Sequence, residues 1–406
     1  MDKTAYQSEL FSNRLKRKYK ELRKTMRKNR VLCYRLYDRD IPEVPLSLDL
    51  YEFLPDGIDS PLEAARFLSE QNARISANDP VVEKEIKERT FAVLYLYERP
   101  YEKSDDEEAL WLDAMADAAA QVLGIKKENI VIKTRGHKSH KGEGTNIQYQ
   151  KNESTKGPFD ELRDPDDTDI LQGSQPFDRL RDRVGLTIEQ GQLFKLDLTS
   201  YLDTGLFFDH RMLRSTVRDT CSKKRVLNLF CYTGSFSVYA AQGNARYVES
   251  VDLSNTYLAW AKDNMKLNGF DDKSRYVYTK ANCMRFLQEK AVAAKNAKLE
   301  PAELYDLIIL DPPTFSNSKT TSDILDINRH WPQLVKDCLN ILAPEGTLYF
   351  STNSERIKFD VTKLPPKTAA GQEFNCEEIT AKTIPVDFEG KKPHKVWAFM
   401  LKSVTY

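Results

Sequence analysis

From residue 225 onward, short apolar runs alternate with amphipathic stretches. Runs at 226–230, 247–251, 276–279, 307–310 and 348–351 have strand length, and 235–242, 254–267, 283–294 and 323–342 carry helical periodicity between them. Asn268-Gly269 supplies a helix stop. Strands alternating with helices predict an α/β fold, a Rossmann-like parallel sheet with helices on both faces. The last segments, 374–385 and 394–402, are joined by EGKKP and predict a closing antiparallel hairpin.

The first half has a different rhythm. Residues 14–30 read RLKRKYKELRKTMRKNR, which places Leu15, Tyr19, Leu22 and Met26 on a narrow apolar stripe at helical spacing. Ten basic residues share this stretch with one acid, Glu21. Two readings stand side by side. The helix can dock on its own domain through the stripe, or it can track phosphates, with Lys16, Lys20, Arg23 and Arg27 as RNA contacts. The alternation Leu46, Leu48, Leu50 and the runs 91–97 and 130–132 predict strands, and 106–123 predicts a helix stopped by Gly124. Together these make a small α+β domain. Polar stretches near 52–89 and 135–183 read as insertions, and VGLTIEQGQLFKLDL reads as a hairpin around Gln190-Gly191. The expected division is 1–200 and 201–406.

Composition narrows the classes. A chain of 406 residues suits two or three domains at roughly 150 residues each. Lys and Arg number 61, as do Asp and Glu, so any pull on nucleic acid must come from local asymmetry. No apolar run approaches the roughly 18 residues of a membrane span. The start, MDKTAYQSELF, lacks the apolar core of a secretory signal, so the expected location is cytoplasmic, with no membrane partner. The six cysteines, Cys33, Cys221, Cys231, Cys283, Cys338 and Cys376, have no C-x-x-C spacing, so reduced thiols and no metal are expected.

The candidate chemistry lies at the ends of the second-half strands. The first turn reads NLFCYTGSFS, in which Gly234 permits a tight turn into a helix. It contains neither G-x-G-x-x-G nor a P-loop, so a ligand without pyrophosphate fits better and a nicotinamide oxidoreductase is disfavoured. Asp252 ends the second strand 18 residues later, where a carboxylate can accept from both ribose hydroxyls. With the Gly turn it points to the adenosine of S-adenosylmethionine. Asn282, after the third strand, can face an adenine amino group or simply cap the following helix. The fourth strand gives the sharpest signal, YDLIILDPPTF. The strand delivers Asp311 to the sheet edge, Pro312 and Pro313 remove two N–H donors and stiffen the turn, and Phe315 can stack on a flat base. Upstream, Asp209 and Arg211 lie in a segment that can close over the cofactor, with Arg211 suited to the methionine carboxylate. His210 can act as a base, but a lone histidine is more often structural.

FSNRLKRKYKELRK, CYRLYDRDIPE, NLFCYTGSFSVYAA, VDLSNTYLAWAKDNMKLNG and LDPPTFSNSK together resemble the bacterial 23S rRNA guanine-N7 methyltransferases. In many bacteria that enzyme is one half of a fused protein, whose other half carries a THUMP domain and a guanine-N2 activity. The resemblance runs in pieces from about residue 11 to 402. It implies a class I methyltransferase domain preceded by a small RNA-binding domain, with large-subunit ribosomal RNA as partner. It further implies that Phe230, Tyr232, Thr233, Gly234, Ser235, Asp252, Leu253 and Asn282 hold S-adenosylmethionine, and that Asp311 to Phe315 frame the target base. At Asn282 relatives usually carry Asp. Related cytosine-C5 enzymes keep a catalytic Cys after the fifth strand, where this chain reads YFSTNSER.

Guanine N7 has a lone pair and no proton, so its methylation needs no base, in agreement with a site that reads as poor in His and Cys. Cytosine C5 needs a thiolate to add at C6 first. N7 methylation of a guanine in 23S rRNA is therefore the leading expectation, with cytosine-C5 or guanine-N2 methylation as the alternative. A catalytically inactive RNA-binding protein on the same fold is the alternative of another class.

Overall fold

The structure is a computed structural model that describes residues 3–97, 104–135, 183–296, 300–317 and 324–402. The chain divides into two units, Met1–Leu206 and Phe207–Tyr406. Most of the expected polar stretch at 135–183 lies outside the described residues.

The first unit begins with α1 (Lys3–Lys28), which starts well before the basic run. Phe11, Leu15, Leu22 and Met26 are buried at three- and four-residue multiples, so the apolar stripe is a core face. It joins Trp111 and Met115 of a later helix in one cluster. Gln7 is buried on the same face, donating to the Glu43 carbonyl at 3.0 Å and accepting from the Trp111 indole at 2.8 Å. Strands β1 (Cys33–Asp38), β2 (Leu46–Glu52), β3 (Thr90–Tyr97) and β4 (Ile130–Arg135) form a sheet in that order. The first three are antiparallel, and β4 runs parallel to β3. The crossover between β3 and β4 carries α4 (Asp105–Leu123), opened by a Ser104/Glu107 capping box and closed by Gly124 at φ 66°. The hairpin β5 (Val184–Glu189) and β6 (Gln192–Asp197) turns at Gln190-Gly191.

One expectation needs correction in this unit, and another gains detail. The polar stretch 52–89 carries α2 (Pro61–Ser76) and α3 (Pro80–Glu88). Each has an N-cap acceptor, Ser60 or Asp79, followed by Pro at the first helical position. Arg27 does not face solvent for phosphate contact. Its guanidinium donates to Glu52 at 2.8 Å and to Gln71 at 2.5 Å, and both partners are buried. Arg23 lies 3.6 Å from Glu83, whereas Lys16 and Lys20 are exposed. Residues 201–206 also belong to this unit. The Lys133 ammonium donates to the carbonyls of Tyr201 and Leu202, and Tyr51 and Thr204 share a buried hydrogen bond at 3.0 Å.

The second unit opens with α5 (Arg211–Thr220) and continues as β7 (Arg225–Leu229), α6 (Ser235–Gln242), β8 (Tyr247–Asp252), α7 (Asn255–Leu267), β9 (Tyr276–Lys280), α8 (Cys283–Lys295) and β10 (Tyr305–Leu310). A two-stranded excursion, β11 (Phe315–Asn317) and β12 (Ile324–Asp326), precedes α9 (Ile327–Asn340) and β13 (Leu342–Thr352). The chain ends on β14 (Phe374–Glu378) and β15 (Lys395–Leu401). The seven strands stand in the order β14-β15-β13-β10-β7-β8-β9. The five from β13 to β9 are parallel, while β15 and β14 run antiparallel at one edge, as the sequence predicts.

The parallel strands read VLNL and LIIL because both faces are covered by helices. Aromatic rings fasten the antiparallel edge. Phe359 stacks on Trp397 with centroids 4.1 Å apart, and Trp331 and Phe350 pack beside them. Chain direction across the sheet reverses between β7 and β10, so the loops after those strands flank a topological switch point. Ligands of open α/β sheets bind at that crevice. No helix among the described residues is long and apolar enough to cross a membrane.

Candidate active site

Three segments meet at the carboxyl edge of the second unit's sheet: the turn after β7, the ends of β8 and β9, and the D-P-P corner after β10.

The β7–α6 turn is strained and well fastened. Phe230, Tyr232 and Gly234 all adopt positive φ, at 54°, 51° and 74°. Two aromatic residues there are costly, on the order of 1–3 kcal/mol each, so surrounding bonds must hold them. Those bonds are present. Cys231 N–H donates to the Val251 carbonyl at 3.0 Å, and Tyr232 N–H to the Asp252 carboxylate at 3.0 Å. Phe230 N–H points to the Cys283 sulfur, and the Asn264 amide donates to the Thr233 carbonyl. Gly234 is required twice over, since a Cβ there would lie 2.7 Å from the Ala261 Cβ. Ser235 opens α6 directly after it. Tyr232 packs on Phe207 and Tyr257, leaving a half-buried ring at the rim.

Asp252 ends β8. One oxygen accepts from Tyr232 N–H and the other from Ser254 N–H, while burial pushes its carboxyl above the usual range. Acceptor capacity remains on the carboxylate after these contacts, suited to a ribose hydroxyl. Leu253 follows it, half-buried. Asn282 differs from the adenine-amino expectation. Its Oδ1 caps α8 by accepting from Met284 and Arg285 N–H. The side-chain NH2 is what remains, so Asn282 can offer a donor to a ring nitrogen but not an acceptor to an amino group. A carboxylate for a ribose hydroxyl and an amide donor for a purine nitrogen fit the adenosine part of S-adenosylmethionine.

Arg211 is not available for a carboxylate on a ligand. It pairs with Asp387 at 2.7 Å, with both side chains buried. The segment 207–211 instead delivers a cluster that sequence reading did not assemble. His210 Nε2 lies 2.8 Å from Ser351 Oγ on β13 and 3.4 Å from Asp311 Oδ1, and Nδ1 lies 3.2 Å from Asp209. Asp209 also holds His394 Nδ1 at 3.0 Å, and His394 Nε2 meets Thr383 at 3.0 Å. The potential ligand atoms of Asp209, His210 and His394 lie within 4.8 Å of one another, brought together by the Asp209–His394 hydrogen bond, the Asp209–His210 ion pair and the packing of the two imidazole rings. Burial opposes a charge on His210, but Asp311 and Asp209 outweigh it and push the imidazole up to about 10. Burial likewise opposes charge on the two carboxylates, yet His210 holds both below the usual range. The expectation of a site poor in histidine is thus corrected. A histidine is present beside Asp311, and the two flanking carboxylates favour its protonated form.

At the corner itself Pro312 is buried, Pro313 half-buried and Phe315 exposed. Thr314 donates its hydroxyl to Asn353 Oδ1 at 2.5 Å, across to the end of β13. The thiols nearby are not nucleophiles in waiting. Burial raises Cys231 and Cys283 well above the ordinary thiol range. Sequence reasoning missed the pairings His210–Ser351, Thr314–Asn353 and Asp209–His394, because partners far apart in the chain leave no spacing signal.

The imidazolium predicts a pH signature. A histidine raised from 6.5 to about 10 on folding contributes stability that is complete below pH 6.5 and lost as pH rises through about 10. Asp209 and Asp311, held low, contribute above pH 3.8 and lose their part in stronger acid. The melting-temperature difference between wild type and His210→Gln should be largest near about pH 6 and shrink toward about pH 10. Thermal denaturation of both proteins across that range checks it, and a constant difference would contradict the charged assignment.

A sequence profile of S-adenosylmethionine-dependent methyltransferases matches residues 180–372. Ribosomal RNA large subunit methyltransferase K of Neisseria meningitidis is 34% identical over 393 residues, covering 97% of this chain and 87% of that protein. Ribosomal RNA large subunit methyltransferase K/L of Magnetococcus marinus is 34% identical over 96% of this chain, which spans 42% of that longer protein. In fold, the chain is similar to a Streptococcus mutans S-adenosylmethionine-dependent methyltransferase, with TM-score 0.57, 18% identity, and coverage of 97% of this chain and 81% of that one. At these levels of identity and coverage, the chain belongs to the ribosomal RNA large subunit methyltransferase K family of S-adenosylmethionine-dependent methyltransferases.

Proposed function

We propose that this protein methylates N7 of a guanine in 23S ribosomal RNA, as a cytoplasmic enzyme. The observation that carries the choice of atom is the geometry of the D-P-P corner, where His210 lies between Asp311 and Asp209 and no exposed thiol is found among the described residues nearby. The two carboxylates favour the charged form of His210, and burial favours the neutral form of Cys231 and Cys283, so the corner offers neither a neutral imidazole nor a thiolate. Cytosine C5 requires a thiolate. Guanine N7 requires neither. S-adenosylmethionine, when bound, supplies an already activated methyl group. The chain's own task is to hold and orient the reactants and exclude water.

Asp252 would take the ribose hydroxyls, Asn282 a purine ring nitrogen, and the 230–235 turn with Leu253 the remaining walls of the cofactor site. Asp311, Pro312, Pro313 and Phe315 would frame the base, with exposed Phe315 able to stack on it. His210 keeps Asp311 ionised and fixed to β13 through Ser351. In the first unit, Lys16 and Lys20 continue along α1 as Lys24 and Lys28, all exposed, and would follow phosphates.

Nucleoside mass spectrometry of large-subunit RNA from cells with and without the gene tests the product. 7-Methylguanosine should disappear on deletion, and loss of 5-methylcytidine alone would refute the assignment. Asp252→Ala should weaken S-adenosylmethionine binding by roughly 1.5–3 kcal/mol, the scale of hydrogen bonds to a charged group. Calorimetry with unchanged affinity would remove Asp252 from the site. Reversing Lys16, Lys20, Lys24 and Lys28 to Glu should weaken RNA binding and flatten its salt dependence, by about 0.7–0.9 in log–log slope per lost phosphate contact. The melting temperature should hold, because the buried stripe is untouched.

A further inference from the structure

The Thr314–Asn353 bond has no part in the fold or in the reading above. Asn353 follows β13, Thr314 follows the two prolines after β10, and these neighbouring parallel strands bring both residues to the same carboxyl edge. Asn353 is exposed, flanked by buried Thr352 and Ser354. Ser354 N–H donates to Thr352 Oγ1, and Ser354 Oγ to Asn328 Oδ1, so the backbone on either side is fastened. The Thr314 hydroxyl donates to Asn353 Oδ1. That contact engages the acceptor end of the amide of this exposed residue and leaves the NH2 group uncommitted. Among the described residues the NH2 has no partner, so at the mouth of the corner Asn353 keeps both amide donors available, while one of the two lone pairs of its oxygen is taken by Thr314.

A donor at this place has a definite complement. The Hoogsteen edge of guanine carries two acceptors, N7 and O6, whereas adenine carries N7 and an amino donor. An enzyme that alkylates N7 cannot read guanine through N7, because that lone pair must stay free. O6 is the remaining feature of that edge that separates guanine from adenine. An uncommitted NH2 group donates to O6 and meets the adenine amino group donor to donor. We infer that Asn353, oriented by Thr314, is the residue that selects guanine by donating to O6 of the target base. The inference rests on the N7-methyltransferase reading.

The test is a cycle between enzyme and base, on in vitro transcribed large-subunit RNA whose modified guanine has been mapped with the wild-type enzyme. A second transcript carries 2-aminopurine at that position, which keeps N7 and lacks O6. Wild type should lose about tenfold in kcat/KM on the 2-aminopurine RNA, the scale of one hydrogen bond. Asn353→Ala should lose about tenfold on guanine and nothing further on 2-aminopurine, since both changes remove the same contact. Asn353→Asp, which sets an acceptor against O6, should lose about a hundredfold on guanine. Thr314→Val should lose severalfold while S-adenosylmethionine affinity and melting temperature stay at wild-type values for all three variants. Losses that multiply on 2-aminopurine, or an Asn353→Asp enzyme as active as wild type on guanine, overturn the assignment of Asn353 alone. A wild-type enzyme that forms no 7-methylguanine on the guanine transcript overturns the functional reading and this inference together.

Discussion

An imidazolium buried between two carboxylates organises the second unit's edge. His210 lies ahead of the sheet in sequence, Asp311 follows β10, Ser351 sits on β13, and His394 leads into β15. Removing any of these charges would strand its partner in a poorly hydrated place, which costs far more than the pair contributes. The cluster therefore specifies where the chain before α5 must dock and where the D-P-P corner must stand. Its chemistry is restrictive as well. A histidine whose charged form is favoured by two flanking carboxylates is suited to positioning a carboxylate rather than to deprotonating a substrate.

The opposite side of the switch point is held by backbone geometry. Left-handed Phe230 and Tyr232 expose the turn's edge toward the ends of β8 and β9, and Asp252 spends part of its hydrogen-bonding capacity pinning Tyr232. The same carboxylate thus shapes the turn and keeps lone pairs for a ligand. Orientation before binding reduces what a ligand must order, a general route to tight and specific sites.

Much of this was legible in the sequence, and the boundary is physical. The strand–helix rhythm after residue 225 translated directly, because period-two and period-3.6 patterns are local. So did Gly124 and the Gln190-Gly191 turn. The helices α2 and α3 carried their own Ser-Pro and Asp-Pro start signals, yet their polar surfaces hid them within an apparent insertion. The motif residues Gly234, Asp252 and Asp311 could be placed at strand ends. Their partners could not. Arg211 facing Asp387 is a pairing 176 residues apart, and Asp209 facing His394 spans 185. Whether Arg27 faces Glu52 or solvent depended on a helix packing that no spacing encodes.

The antiparallel pair at the end of the second unit has a consequence for colloidal behaviour. An open parallel sheet ending on β13 would offer an eleven-residue strand, mostly buried and rich in β-formers, to any passing chain. β15 covers it, and β14 becomes the border instead. That border is five residues long, with Asn375, Glu377 and Glu378 turned to solvent and Glu377 salt-bridged to Lys382. Short length and like charges make a poor template for strand addition between molecules. The last thirty or so residues thus act as a guard against cross-β association, in a domain whose central strands are apolar enough to need one.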